Sequence, residues 1–195
     1  MASKNVLSRY RLPGLLALTI LASFLADRSF AALMERIRTP ALDVFFQFVS
    51  GSLVFIALGA LLLWQLTSRA FSKAATTASA IAAAEIAAEI LKLIFARPRP
   101  GGIELTVLGM PSYAFPSGHA ALAFAPLLLL PKKILPYWIV LAAAIALGRV
   151  YLSFHSLSDV VAGAALGVFA GRVFAKAKQL RYLQKIAQTF LRWSG

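Results

Sequence analysis

Residues 134–174 read ILPYWIVLAAAIALGRVYLSFHSLSDVVAGAALGVFAGRVF. Two apolar runs, Ile134–Leu152 and His155–Phe174, each approach the ~20 residues that a helix needs to cross a bilayer. Arg149, His155 and Asp159 sit at their junction. Ionisable groups at such depth are costly, which makes them functional candidates by default. His155 and Asp159 are four apart, so they stand one turn apart on the same helix face. Gly163 and Gly167 give the second run a small-xxx-small face against which another helix can pack closely.

Four further apolar runs precede this pair: Leu12–Leu33, Leu42–Leu66, Ala74–Phe95 and a shorter one from Gly118 to Leu130. Sixty per cent of the 195 residues are hydrophobic and only 14% are charged, against about 25% charged in a soluble domain. The expected fold is therefore all-α, a polytopic membrane helical bundle with six transmembrane helices. Linkers, low-complexity tracts and repeats are lacking, so residues 1–195 read as one domain, with a motif core over 92–159 and a basic interfacial tail over 176–195. Leu12–Ala26 also has the basic flank of a signal peptide, but Asp27-Arg28 directly after it is a poor cleavage site. The chain has no cysteine, which removes disulfides, thiolate metal sites and cysteine nucleophiles together.

The net charge of +13 follows membrane rules and does not call for nucleic acid. Six spans put both termini on one side. Thirteen of the twenty Lys and Arg residues then fall on that side, including Lys4, Arg69, Lys73, Lys132, Lys133 and the cations of the tail. Seven fall on the other: Arg28, Arg36, Arg38, Lys92, Arg97, Arg99 and Arg149. The excess predicts cytoplasmic termini. The small, alanine-rich chain with a short N-terminus looks prokaryotic, which implies the inner membrane and a site on its extracytoplasmic side.

That outer side collects the chemistry. The chain has two histidines. His119 closes Pro116-Ser117-Gly118-His119, and His155 lies in Arg149-x5-His155-x3-Asp159. Lys92 precedes Arg99-Pro100 by seven. Four predicted helices thus bring all three blocks to one depth. A phosphate ester needs its oxygens neutralised as charge develops, and Lys92, Arg99 and Arg149 supply that without a metal, the arginines in bidentate geometry. Ser117 and Gly118 would add backbone amides at a helix start. His155, with Asp159 fixing its tautomer, would attack phosphorus. His119 would protonate the leaving oxygen and then activate water.

These three blocks, in this order, resemble the tripartite signature of the type-2 phosphatidic acid phosphatase superfamily over about Lys92 to Gly167. The resemblance implies a six-helix lipid phosphate phosphatase that works without metal or cofactor. It implies His155 as nucleophile, Asp159 as its partner and His119 as acid, with Lys92, Arg99, Ser117, Gly118 and Arg149 as phosphate ligands. One departure is visible: the third block usually begins Ser-Arg, whereas Gly148 precedes Arg149 here. The expected substrates are a polyprenyl diphosphate, phosphatidylglycerophosphate, phosphatidic acid or a lipid A phosphate, met among membrane lipids. The sequence leaves that choice and the oligomeric state open.

Glu85 and Glu89 lie one turn apart in the third run, and Glu89 is three before Lys92. They either hold Lys92 and its surroundings or satisfy neighbouring groups. In a different class of protein, a transporter or lipid-binding membrane protein, they would couple protons. That alternative predicts broken helices or inverted repeats at mid-membrane. Asp27 and Asp43 have no role that the sequence reveals.

Overall fold

The computed structural model describes the backbone of residues 3–103, 106–107 and 110–193. Helix α1 covers Ser3–Arg36. Thr39 then caps α2, Pro40–Gln47, its hydroxyl accepting from the Leu42 amide. Pro40 occupies the first turn, where a missing N–H costs nothing. A π-helical stretch, Phe48–Ser52, carries α2 into α3, Leu53–Thr67. α4, Phe71–Phe95, ends at Ala96 in the left-handed conformation. Next come two two-residue strands, β1 (Thr106–Val107) and β2 (Met110–Pro111), paired antiparallel. α5 (Gly118–Phe124), α6 (Leu135–Tyr151) and α7 (Leu157–Trp193) complete the chain.

The six apolar runs all appear as helical segments, in order, and the fold is all-α as expected. Among the described residues two of them, Pro40–Thr67 and Leu157–Ala177, are by themselves long and apolar enough to cross a membrane. The fourth run departs most from expectation. α5 stops before Pro126, and only a 3₁₀ turn, Leu127–Leu129, follows. Proline has no N–H to continue the ladder. At the break, the Ala123 carbonyl is taken by the Trp138 indole at 2.8 Å. A stretch of a dozen residues reaches only ~18 Å as helix, well short of a ~30 Å hydrocarbon core. The tail is helical, and α7 runs unbroken through it to Trp193. The side chains from Lys178 onward, on which its amphipathic reading depends, lie outside the described residues.

α7 packs against α1, α4, α5 and α6. Its contact with α5 is backbone to backbone. A Cβ on Gly163 would stand 2.2 Å from the Ser117 carbonyl oxygen, one on Gly167 2.3 Å from that of Ala121, and one on Gly171 2.3 Å from that of Ala125. The expected small-residue face is thus present, one turn longer than foreseen, with α5 as its partner. Ala84 and Ala88 of α4 meet Ala121 and Ala125 beside it. A second core, with Val54, Leu58, Leu122, Trp138 and Ile145, joins α3, α5 and α6. Around these cores the outer surface is apolar: Leu25, Ile56, Ile94, Val140 and Phe169 are all more than half exposed. Such a surface suits hydrocarbon as its solvent.

Candidate active site

The site forms where the C-terminal end of α4, the N-terminal ends of α5 and α7 and the C-terminal end of α6 converge. After α6, Ser153 turns the chain with a positive φ of 59°. The Phe154 and His155 amides both reach back to the Arg149 carbonyl, at 3.1 and 3.2 Å. The arginine and the histidine of the third block are thus tied together by main chain alone.

The two neighbours of the His155 ring define its protonation. Nδ1 lies 2.8 Å from the Ala114 carbonyl oxygen, which can only accept. Nε2 lies 3.2 Å from Nη1 of Arg99, which can only donate. The ring is therefore the neutral tautomer with its proton on Nδ1 and the Nε2 lone pair on the cationic side. His155 is 2% exposed and lies in the connection ahead of α7. Burial pushes its pKa down to about 4; the Asp159 carboxylate opposes this, while Arg149 and Arg99 add to it. Burial likewise lowers the Arg99 pKa.

Asp159 stands beside the same ring nitrogen as the Ala114 carbonyl, at the distance of a charge partner. Its Oδ2 is 3.7 Å from Nδ1 of His155, too far for a hydrogen bond, and the Ala114 carbonyl holds the tautomer. Asp159 also accepts from the Ser156 amide at 2.7 Å and from Arg97 at 2.8 Å. The first contact is the return half of a capping box at the start of α7, for which Ser156-x-x-Asp159 is the sequence signal. Ser117 is also partly committed. Its amide donates to the Asp159 carbonyl at 2.9 Å, and its hydroxyl caps Ala120. The amide is not free for phosphate, which leaves the hydroxyl proton.

The other expected residues converge. Arg149 is 8% exposed, and its guanidinium lies 4.4 Å over the Phe154 ring. Its Nε has no partner among the described residues. Arg99 is held by the Ser112 carbonyl and hydroxyl and by the Phe154 carbonyl. Lys92 is buried and bonded to Glu89. A Cβ on Gly118 would stand 3.1 Å from Glu85 and 3.4 Å from Nζ of Lys92, which puts both carboxylates at this end of the bundle. His119 packs edge-on against Phe55, the charges of Arg149, Lys92 and Arg99 act on its ring, and the His155 ring is near enough to couple with it. Both imidazoles and all three expected cations thus share one electrostatic neighbourhood. Among the described residues, no three His, Cys, Asp or Glu side chains are grouped to hold a metal ion.

Gly148, the departure in the third block, backs onto the π-helical stretch. A Cβ there would meet Ser50 at 2.8 Å and Phe46 at 2.9 Å. In this chain the position serves close packing of α6, and a serine side chain would not fit without movement.

Sequence reasoning missed Arg97, Asp27, Ser158 and Ala114. Arg97 donates to Asp159, to the Ser158 hydroxyl at 2.6 Å and to Asp27 of α1 at 2.9 Å. Asp27 also accepts from the Ser158 amide and hydroxyl.

A helical frame that gathers two histidines and three cations at one end defines a class, and the comparisons agree with it. The family model described as "PAP2 superfamily" matches residues 73–182. The chain belongs to the PAP2 superfamily. Two solved structures share its fold. Aquifex aeolicus LpxE is 26% identical with a TM-score of 0.64, over 77% of this chain and 94% of that one. The first transmembrane PAP2 type phosphatidylglycerolphosphate phosphatase from Bacillus subtilis is 20% identical with a TM-score of 0.70, over 87% of this chain and 96% of that one. None of the curated proteins matches the chain.

Proposed function

We propose that the protein is an integral membrane phosphatase that hydrolyses a phosphomonoester or diphosphate of a membrane lipid through a phosphohistidine. The observation that carries this reading is the His155 ring, with its Nδ1 proton given to Ala114 and its Nε2 lone pair turned toward Arg99. A phosphoryl group entering between Arg99, Arg149 and Lys92 takes over the Arg99 hydrogen bond and frees that lone pair. Nε2 then forms a bond to phosphorus as the bond from phosphorus to the lipid oxygen breaks. The leaving oxygen takes a proton from His119. In the second step His119 takes a proton from water, the water oxygen bonds to phosphorus, and the phosphorus–nitrogen bond breaks to release inorganic phosphate.

Family membership supports phosphatase chemistry, and the two apolar helices with the greasy outer surface support a membrane setting. The name of the Bacillus subtilis structure supports a lipid phosphate as substrate. With the termini on one side, the asymmetry of Lys and Arg supports cytoplasmic termini and an extracytoplasmic site. Glu85 and Glu89 stand beside Lys92 and Gly118, which favours a place in the site over a mid-membrane proton route.

The test is phosphate release by the purified full chain in detergent, across the four candidate lipid substrates, with and without chelator. Turnover is expected to survive chelation and to fall by about 10⁴-fold or more in His155→Ala, the scale of losing a covalent nucleophile. Strict dependence on added Mg²⁺, or turnover by His155→Ala near that of wild type, overturns the reading.

A further inference from the structure

We propose that Arg97, held by Asp27 from α1, is a positioning residue for His155. The inference rests on His155 being the nucleophile. Two routes run from Arg97 to that ring. The first is main chain: the Arg97 carbonyl accepts from the Ala114 amide at 2.8 Å, and the Ala114 carbonyl accepts the Nδ1 proton of His155 at 2.8 Å. The second is side chain: the guanidinium takes Oδ1 of Asp159 and the hydroxyl of Ser158, both in the first turn of α7. Asp159 is fully buried, and its other oxygen caps the helix just after His155. Arg97 thus fixes the loop that aims the ring and the helix start that carries it.

Asp27 completes the arrangement from a distant part of the chain. Its carboxylate is 14% exposed. It accepts from Arg97, from the Ser158 amide at 2.8 Å and from the Ser158 hydroxyl at 2.6 Å. Phe24, one turn earlier on α1, lies under the guanidinium at 5.1 Å and against Phe115. One cation is therefore shared by two carboxylates. Bidentate arginine suits this, since its planar fork serves both at once. Pairing also keeps the Asp159 charge from acting in full on the imidazole 3.7 Å away. Left unpaired, that carboxylate would favour protonation of Nδ1 and Nε2 together and take away the lone pair the reaction needs.

The charged groups around the His155 ring are Arg99 from the loop after α4, Arg149 from α6, His119 from α5 and Asp159 from α7. Of these only Asp159 contacts Arg97. Removing the Arg97 cation should therefore move the acid limb of the rate profile to higher pH, a response that loosened packing alone would not produce.

The test compares Arg97→Gln, Arg97→Lys and Asp27→Asn in the full chain in detergent, with phosphatidic acid in mixed micelles. It measures kcat and KM between pH 4.5 and 8, after melting curves confirm folding. Arg97→Gln is expected to lower kcat by about 10²-fold, as loss of an orienting partner does, with KM within about threefold and the acid limb shifted upward. Arg97→Lys should recover part of kcat and restore the acid limb. Asp27→Asn should lower kcat by roughly tenfold in the same pattern. If Arg97→Gln fails to fold, Asp27→Asn carries the decision. Wild-type kcat and an unmoved acid limb in the folded variants overturn the inference, provided His155→Ala is inactive. An active His155→Ala removes the nucleophile assignment itself, whatever the Arg97 variants do.

Discussion

The contact of α7 with α5 and its contact with α1 solve the same problem by opposite means. Against α5, three glycines spaced by four let backbone touch backbone, so the Ser117 and Asp159 main chains meet directly. Against α1, near the site, side chains reach: Asp27 to Ser158, and Phe24 under Arg97. The first contact fixes where the His119 block lies relative to the His155 block, with no adjustable torsion between them. The second brings a helix from outside the family-matched region to the same place through polar groups that a substitution can dissect one at a time. Placement of the two histidines is therefore a property of small residues, and adjustment of one histidine is a property of distant charged ones.

The largest predicted effect tests the first half of this contrast. Gly163→Val puts side-chain carbon where the Ser117 carbonyl already is, so phosphate release should be abolished and the melting temperature in detergent should fall sharply. Overpacking of this kind costs about 1–3 kcal/mol or more. A folded, active Gly163→Val protein would break the comparison. Next is Arg149→Lys, which keeps the charge and loses the planar stack on Phe154. A rise in KM and a fall in kcat, together about 10–100-fold in kcat/KM, are expected from the loss of bidentate contact; unchanged kinetics would mean that a point charge suffices there.

A smaller effect concerns pH. Burial holds the His155 pKa at about 4, below its usual 6.5. Between those values the unfolded chain binds a proton that the folded one refuses, so stability rises with pH across the window. The contribution is fully present above about 6.5 and is lost as pH falls toward 4. Melting curves of wild type against His155→Asn should diverge at neutral pH and draw together in acid; parallel curves would show a ring that is not buried neutral. The smallest effect is a control on the other helices. Gly59 in α3 has nothing within 4 Å of an added Cβ. Gly59→Ala should raise stability by about 0.5–1 kcal/mol, the helix preference alone, with kcat unchanged. A clash there, seen as a loss of stability, would blur the distinction between the close seam and the looser N-terminal half.

Much of the site is legible in the chain because its parts carry side-chain signatures. Lys92, Arg99, His119, Arg149 and His155 announce themselves as ionisable residues at the ends of apolar runs, and their common depth follows from helix lengths alone. Gly163 and Gly167 are likewise visible as a spacing. The hold on the His155 tautomer is not legible, since a carbonyl such as that of Ala114 belongs to every residue type. The tie from Asp27 to Arg97 spans 70 residues, and a lone aspartate at the end of an apolar helix carries no pattern that names its partner. Asp159 carries two signals, Ser156-x-x-Asp159 for a helix start and a histidine at i−4, and the spacing alone does not tell which contact is the shorter. The early stop of α5 was signalled by Pro126, against a run of apolar residues that continues beyond it.

The π-helical stretch Phe48–Ser52 has a consequence for the two aromatic rings on either side of it. The Leu53 amide closes onto the Phe48 carbonyl five residues back, so the turn holds one residue more than an α-helix would. Everything downstream is thereby wound on by close to a third of a revolution. Phe46, before the stretch, lies against Tyr151, and Phe55, after it, lies against His119. Deleting a single residue from this turn would shorten the helix by very little. It would swing Phe55 away from the imidazole and leave Phe46 where it is.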